Sequence, residues 1–340
     1  MKPIFYTIAA MIAVLLVVPS VLVLIYPEST GMPPQQQVVT TAVPPVSMPK
    51  ISGNVIDFSV RVFRVETGKI DSVPLEDYVA GVVSGEMPAE FEIEALKAQA
   101  LAARTYLALR LLKKDVTDVP KGAHVTDTVK HQVYMDDRQR KEAWGSSYTW
   151  KKARIQQAVD ETIGQVLTYQ QEPINATFFS TSNGYTENSE EYWENKIPYL
   201  RSVKVPWDTV SPRYQESITM TVDQLEKRLK TKIAQPAAAG DGTWQKVLSR
   251  TVGQRVKEIK IGDKTFTGRE VRTKLGLNSS HFSMSVEKGK VVIRTLGYGH
   301  GVGMSQWGAN GMAKEGKTAQ EIVAYFYKGI TIESGEKWFK

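Results

Sequence analysis

The chain has 340 residues, a formal net charge of +7 and no cysteine. The lack of cysteine excludes disulfides, thiolate zinc sites and cysteine nucleophiles. The positive charge suits a polyanionic neighbourhood, such as a cell wall or an anionic lipid surface. Nucleic acid is disfavoured as a partner, because no basic cluster is interleaved with aromatic residues.

The N-terminus carries an apolar run over residues 4–26, which is long enough to cross a hydrocarbon core of about 30 Å. Pro19 is tolerated in such a helix, and no Ala-x-Ala-like cleavage site follows the run. Lys2 precedes it and Glu28 follows it, which favours a cytoplasmic N-terminus. Residues 1–26 are therefore predicted to be a cytoplasmic tip and single-pass membrane anchor, with a cleaved signal peptide as the alternative.

The segment after this run differs from the rest of the chain in composition. Residues 27–50 are rich in Pro, Gln, Thr and Val without a helical or strand period, which is typical of a semi-extended tether. Residues 51–340 are predicted to fold as an extracytoplasmic catalytic domain. They are enough for one elaborated domain or two small ones.

The first elements of the folded part are strands followed by helices. Alternating apolar residues over 55–65 predict one or two strands, and Pro74 begins an amphipathic helix that ends near Gly85. A helix over 93–114 is so rich in Ala and Leu that we expect it to be buried. Residues 117–147 are polar and weakly patterned, which predicts a long excursion.

Shorter elements follow. Helices are predicted over residues 150–163, 222–230, 305–314 and 319–327, and strands over 166–169, 174–180, 256–261, 282–287 and 291–296. This order does not alternate regularly as βαβ units. It therefore predicts an α+β fold, in which helices pack on antiparallel strands.

Glu86 stands out among the carboxylates, because it lies at the end of the first predicted helix, before Met87 and Pro88. The negative end of a helix macrodipole disfavours a charged carboxylate, and burial raises its pKa further. A glutamic acid that is protonated near neutral pH can protonate the leaving oxygen of a glycosidic bond. The alternative is an ordinary surface glutamate.

A polar loop offers a second candidate region, for sugar binding. It contains Ser182, Asn183, Gly184 and Tyr185, and Trp193 follows shortly after it. Amides and hydroxyls match the hydroxyl groups of a sugar, and aromatic faces cover the apolar faces of a pyranose. The same composition is also typical of an ordinary hairpin turn.

Two further candidates lie near the C-terminus. His300 stands between glycines, which indicates a backbone that passes close to a ligand or another strand. Gln306 follows Ser305 and could line a site, whereas Ser305 is also a plain N-cap candidate.

The pattern of residues 311–318 matches a phosphate-binding loop letter for letter. That motif should directly follow a buried strand, but a predicted helix precedes it here. Thr318 and Glu321 are instead expected to form a capping box.

Five ordered segments, 74–79, 85–88, 95–106, 179–188 and 299–309, closely resemble the stage II sporulation protein D family. The resemblance implies a lytic transglycosylase of the engulfment machinery, anchored in the mother-cell membrane facing the forespore and acting on peptide-free glycan strands. It implies that Glu86 is the single general acid/base. It also implies a glycan groove into which Arg104 points. The alternative for Arg104 is a salt bridge to a surface acid.

The resemblance also implies partners, namely sporulation protein P, an amidase that strips the strands, and sporulation protein M, a membrane scaffold. Some members carry a His and Cys zinc site after the long helix, where this chain has only His124 and His131. We therefore expect these histidines to be surface residues, with no metal and no cofactor. The rival function is a non-catalytic glycan-binding activator of a cell-wall amidase.

Overall fold

The computed structural model describes residues 55–114, 116–233 and 244–340. The predicted membrane anchor over 1–26 and the tether over 27–50 lie outside these residues. Across the described ranges, no helix combines the length and the apolarity that crossing a bilayer requires. The described chain is a mixture of helices and small sheets, as expected from the order of the predicted elements.

The described α-helices are α1 (Leu75–Glu86), α2 (Ile93–Lys113), α3 (Asp137–Trp144), α4 (Tyr148–Asp160), α5 (Val222–Leu229), α6 (Gly268–Leu275), α7 (Gln306–Lys314) and α8 (Ala319–Phe326). The strands are β1 (Ser59–Arg64), β2 (Lys69–Pro74), β3 (Val125–Thr126), β4 (Gln165–Tyr169), β5 (Glu172–Pro173), β6 (Phe178–Phe179), β7 (Gln215–Met220), β8 (Gln245–Arg250), β9 (Val256–Ile261), β10 (Lys264–Thr267), β11 (Phe282–Glu287), β12 (Lys290–Leu296), β13 (Met304–Ser305) and β14 (Thr331–Ser334). Short 3-10 helices lie at Gly145–Ser147, Ser189–Glu191, Pro206–Val210 and Glu336–Trp338.

The strands form small sheets in the orders β2-β1-β3, β14-β4-β5, β13-β6, β11-β12-β7 and β10-β9-β8. Most neighbouring strands are antiparallel, as predicted. The prediction is wrong for two pairs, because β3 lies parallel to β1 and β13 lies parallel to β6. These short parallel pairings join segments far apart in sequence, which local alternation cannot reveal.

Two apolar cores organise the described residues. The first surrounds α2, and its buried residues include Leu96, Leu101 and Leu107. The prediction of a buried long helix is therefore confirmed. The second core joins α5 and α6 to strands β7 to β12, with Leu225 and Phe282 among its buried residues.

The sequence signals for the ends of two helices are confirmed. Pro74 is the N-cap of α1, and the helix ends because Met87 is extended before Pro88, with φ −133°. Thr318 and Glu321 form the expected capping box of α8. The phosphate-loop pattern therefore spans the end of one helix and the cap of the next.

Candidate active site

Glu86 is the last residue of α1 and is half-buried. Its Oε1 accepts a hydrogen bond from the backbone N–H of Val133 at 2.7 Å. Burial raises the pKa of Glu86 from 4.5 to about 7, although the bond from Val133 acts in the opposite direction. Among the described residues no hydrogen bond reaches Oε2, so a proton on that oxygen is available for transfer.

Val133 reaches Glu86 because its segment lies directly on α1. A Cβ on Gly81 would lie 2.3 Å from the ring of Tyr134, and a Cβ on Gly85 would lie 2.7 Å from the carbonyl oxygen of Val133. Any larger residue at either position would push the segment away from the helix. The two glycines, one helical turn apart, therefore set the approach that delivers the Val133 amide.

Arg64 orders the excursion that contains Val133. This buried arginine forms ion pairs with Asp127 at 2.9 Å and Asp136 at 3.0 Å, and it donates to Gln139 at 2.7 Å. Its guanidinium also lies 5.2 Å from the ring centroid of Tyr134. Arg64 of β1 thus holds several points of a region whose sequence pattern is weak.

Gln306 holds the other side of the helix end. Its Nε2 donates to the backbone oxygen of Glu86 at 2.9 Å and to Oε1 of Gln99 at 3.3 Å. Gln306 and Gln99 are both buried. The structure therefore places Gln306 beside Glu86, where its side chain holds the backbone of Glu86.

The loop over residues 87–92 is fixed as well. Arg154 donates through Nε to the carbonyl of Ala89 at 3.0 Å. The ring of half-buried Trp307 meets the buried ring of Phe91 edge-on, with 4.9 Å between the centroids. Trp307 thus presents an aromatic surface close to the loop that follows the acid.

A cavity of about 220 Å³ lies near His300. Its walls come from the segment 187–192 and from the region around β9 and α6, and they contain Glu187, Glu190, Glu191, Tyr192, Thr251, Arg255, Val256, Lys257, Thr267, Arg269, Ser280 and His300. The rings of Tyr192 and Trp193 each lie 5.6 Å from the ring of His300. The cavity therefore has polar walls and an aromatic side.

His300 is neutral at pH 7. Its Nδ1 accepts from the backbone N–H of Val302 at 3.1 Å, so Nε2 carries the proton and donates to Oγ1 of Thr177 at 3.2 Å. Burial, together with nearby Arg272, lowers the pKa of His300 to about 4. Its ring can pack against a ligand, but it is not a proton donor of the acid type.

Comparison with known proteins identifies the family of this chain. A family model described as "Stage II sporulation protein" matches residues 64–169. The chain is 42% identical over 338 residues to stage II sporulation protein D of Bacillus subtilis (strain 168), covering 99% of this chain and 97% of that protein. The chain belongs to the stage II sporulation protein D family. Its members are sporulation proteins, and this membership confirms the resemblance.

Two other relatives extend the comparison. Stage II sporulation protein D of Bacillus amyloliquefaciens is 41% identical over 343 residues, covering 99% of this chain and 98% of that protein. A protein named amidase enhancer from Bacillus subtilis (strain 168) is 29% identical over 307 residues, covering 75% of this chain and 40% of that protein. The stage II sporulation protein D family thus has a more distant relative named for its effect on an amidase.

The structure places two residues of the predicted sugar loop in structural roles. The backbone N–H of Ser182 donates to the carboxylate of Asp208, and Nδ2 of Asn183 donates to the carbonyl of Gly253 at 2.8 Å. Ser182 is 0% exposed and Asn183 is 6% exposed. The backbone of Ser182 and the side chain of Asn183 therefore hold the loop in place instead of facing a ligand.

The other predicted sugar-binding residues keep some exposure. Gly184 has φ +101°, so the turn there favours glycine, and Tyr185 accepts a bond from Arg255 through its backbone oxygen at 3.3 Å. Half-buried Trp193 packs beside His300. The structure therefore places Trp193 beside His300, which lines the cavity, while Glu86 and Gln306 lie together at the helix end.

Arg104 does not face a groove. Its side chain is 0% exposed and forms an ion pair with Glu76 of α1, with 3.1 Å between Nε and Oε1. Its NH1 also donates to the carbonyl of Gln165 at 3.0 Å. This geometry corrects the interpretation that Arg104 faces a groove. Its guanidinium donates to internal partners, and these bonds connect α2 to α1 and β4.

The two histidines of the excursion are not surface residues, so that prediction is wrong. His124 is 6% exposed and the side chain of His131 is 1% exposed. Both Nδ1 atoms accept backbone N–H bonds, from Arg61 and Thr126, and Nε2 of His131 lies 3.0 Å from Asp118. These contacts use both ring nitrogens of His131 and Nδ1 of His124, and the chain has no cysteine, so the residues present do not fit the His and Cys zinc site of other family members.

Sequence reasoning missed Val133, whose backbone N–H donates to Glu86, and Gln99, whose side chain accepts a hydrogen bond from Gln306. It also missed Asp208, whose Oδ2 accepts from Ser305 at 2.6 Å beside the N-terminus of α7. Burial raises the pKa of Asp208 to about 6. Gly81 and Gly85 were the one available signal, because glycines one turn apart in a helix indicate a close backbone contact.

The raised pKa of Glu86 predicts a pH effect on stability. A carboxyl whose pKa is higher in the folded state than in the unfolded state loses its stabilising contribution as the pH rises, here between about 4.5 and about 7. The free energy of unfolding of Glu86→Gln should therefore equal that of the wild type at pH 4. At pH 8 the variant should be more stable by about 2 kcal/mol, a value reduced to allow for the partial exposure of Glu86. Denaturant unfolding at both pH values measures the difference; equal stability at pH 8 would show that Glu86 is not desolvated.

Proposed function

We propose that this protein is a lytic transglycosylase that cleaves peptide-free peptidoglycan strands between muramic acid and glucosamine. The observation that carries the proposal is the half-buried carboxyl of Glu86, with a pKa of about 7 and one oxygen held by Val133. Such a group is protonated often enough at neutral pH to act as an acid, and its conjugate base is strong enough to accept a proton afterwards.

One carboxyl can carry both half-reactions. Glu86 protonates the glycosidic oxygen as the bond from C1 of muramic acid to that oxygen breaks. The 6-hydroxyl of the same muramic acid then attacks C1, and its proton returns to Glu86. The products are two shorter strands, one of which ends in 1,6-anhydromuramic acid. No water is consumed, and Glu86 is protonated again.

The surroundings of Glu187 support this single-acid scheme. A retaining or inverting hydrolase needs a second carboxylate about 5 to 9.5 Å from the acid. Glu187 belongs to the polar loop, but its side chain is only 2% exposed, and its Oε1 contacts Arg255 at 3.2 Å and Thr251 at 2.8 Å. Both contacts use Oε1 of a buried side chain, which supports a structural role for Glu187.

The alternative function is a glycan-binding activator of a cell-wall amidase. The relative named amidase enhancer favours it, since that protein shares 29% of residues over 75% of this chain. An activator would need a glycan surface but no acid of raised pKa.

We also propose the setting implied by the family. The apolar run of residues 4–26 would anchor the protein in the mother-cell membrane, with the folded part outside the cytoplasm and facing the forespore. Peptidoglycan strands, sporulation protein P and sporulation protein M would be its partners. The net charge of +7 is compatible with a polyanionic wall.

Product analysis tests the proposed reaction. Incubation of residues 51–340 with peptide-free strands in water labelled with heavy oxygen should yield 1,6-anhydro ends without incorporated label, because the nucleophile comes from the sugar. Mass spectrometry of the fragments measures this. Fragments heavier by one labelled water would exclude a transglycosylase, and absence of fragments would favour the activator.

A further inference from the structure

The cavity beside His300 has one basic residue that no carboxylate neutralises. Its three lining carboxylates are all engaged in ion pairs, namely Glu187–Arg255, Glu190–Arg201 and Glu191–Lys257. Arg269 also lines the cavity, yet within the described ranges it forms no ion pair. The cavity therefore offers an unbalanced positive charge at its edge.

Arg269 is held in place by an aromatic residue. Its guanidinium lies 4.6 Å from the ring centroid of Tyr192, and its NH1 donates to the backbone oxygen of Tyr192 at 2.8 Å. Arg269 belongs to the first turn of α6, where a cation is unfavourable for the helix macrodipole. Helix stability thus does not explain this residue, whereas a preorganised guanidinium suits recognition of an anion.

The interior of the cavity provides further polar groups. Arg255 is 2% exposed, and its buried Nε has no hydrogen-bond partner within the described part of the chain. Hydroxyls of Thr251, Thr267 and Ser280 also line the walls. That Nε is shielded from solvent and marks no ligand contact, whereas the charged and hydroxyl-bearing residues of the walls suit a polar ligand better than an apolar one.

We propose that this cavity binds muramic acid in a peptide-free strand, and that Arg269 recognises its free lactyl carboxylate. The inference rests on the proposed function and adds a reason for substrate choice. In a strand that still carries peptides the lactyl carbonyl is an amide, which has no charge. A guanidinium at the edge of the cavity therefore favours stripped strands, through a charge-assisted bond that the amide cannot form.

The cavity is close enough to Glu86 for one strand to occupy both. The six peptide steps from His300 to Gln306 span at most about 21 Å. Gln306 in turn donates directly to the backbone of Glu86. Arg269 would thus contact a muramic acid some sugars away from the bond that breaks, as a specificity residue outside the reaction itself.

A binding experiment tests this inference without cleavage. In a Glu86→Gln background, calorimetry compares a peptide-free oligosaccharide with the same compound after its lactyl carboxyls are converted to methylamides. The free acid should bind about tenfold more tightly. Adding Arg269→Gln should remove that preference while leaving affinity for the amide unchanged. Lys274→Gln is the matched control, because Lys274 is an exposed cation of α6 that packs on Phe266 outside the cavity.

Three results would overturn the inference: equal affinity for the acid and the amide before Arg269 is changed, equal weakening of both by Arg269→Gln, or no binding of either compound at millimolar concentration. Failure of the proposed reaction is a separate result. A wild-type protein that prefers the free acid but releases no anhydro ends would keep the binding site and exclude the transglycosylase. Release of anhydro ends without any preference for the free acid would support the transglycosylase and exclude the binding role of Arg269.

Discussion

Glu86→Gln is expected to lower the rate of glycan cleavage by at least about a thousandfold, because glutamine can neither donate nor accept the transferred proton. The fold should persist, since the amide oxygen can still accept the N–H bond that Val133 makes at 2.7 Å. Initial rates of formation of anhydro ends from peptide-free strands measure the loss. Unfolding curves recorded beside them separate lost chemistry from lost structure.

The matched control for this variant is Glu90→Gln. Glu90 is an exposed carboxylate of the same loop, paired at the surface with Lys151 at 2.7 Å, and it should be replaceable with little effect on rate. Wild-type kcat/KM should also fall about tenfold per pH unit above pH 7, as Glu86 loses its proton. A Glu86→Gln protein that cleaves at nearly the wild-type rate would contradict the mechanism.

Glu86 could be singled out from the sequence as the candidate acid because its environment is mostly local. Pro88 restricts Met87 to an extended conformation, which ends α1 at Glu86, and the helix end itself disfavours a charge there. Apolar neighbours on the same helix indicated burial. These effects act within a few residues, so a linear pattern contains them.

The groups that hold the acid could not be found in the same way. Val133 lies 47 positions from Glu86 and Gln306 lies 220 positions away. Both contacts depend on how separate segments pack, and Val133 contributes only its backbone, which no side-chain pattern marks. The excursion was hard to interpret for the same reason, because Arg64 of β1 and Arg110 of α2 both hold it through contacts distant in sequence.

The sugar-binding loop shows how composition can mislead. A run of Ser, Asn and Gly is equally suited to satisfy a sugar or to satisfy its own backbone. In the structure Ser182 and Asn183 are buried and bond internally, whereas aromatic Trp193 remains half-exposed. Burial decided between the two interpretations, and it involves contacts with Asp208 and Gly253, which lie far along the chain.

Arg104 also has two possible roles, ligand binding and internal pairing, and the choice between them has a large effect on the predicted stability. A buried arginine can point into a ligand cavity or neutralise a buried acid, and the sequence does not reveal Glu76 as its partner 28 positions earlier. Removing one member of a buried ion pair leaves the other charge desolvated, at a cost of about 3 to 5 kcal/mol. The structural role therefore predicts a loss of stability that a groove-facing arginine would not show.

Arg104→Met is accordingly expected to lower the free energy of unfolding by about 3 to 5 kcal/mol, while KM for glycan stays unchanged at temperatures where the variant is folded. The double variant Arg104→Met/Glu76→Leu should recover much of the loss, because it removes the stranded carboxylate, whose side chain is only 13% exposed. Lys113→Met, an exposed cation at the end of the same helix, should change stability by less than about 0.5 kcal/mol. Denaturant unfolding of the four proteins and glycan kinetics of the folded ones measure both quantities. A stable Arg104→Met protein with a raised KM would return Arg104 to the glycan groove, since only a ligand contact weakens binding without weakening the fold.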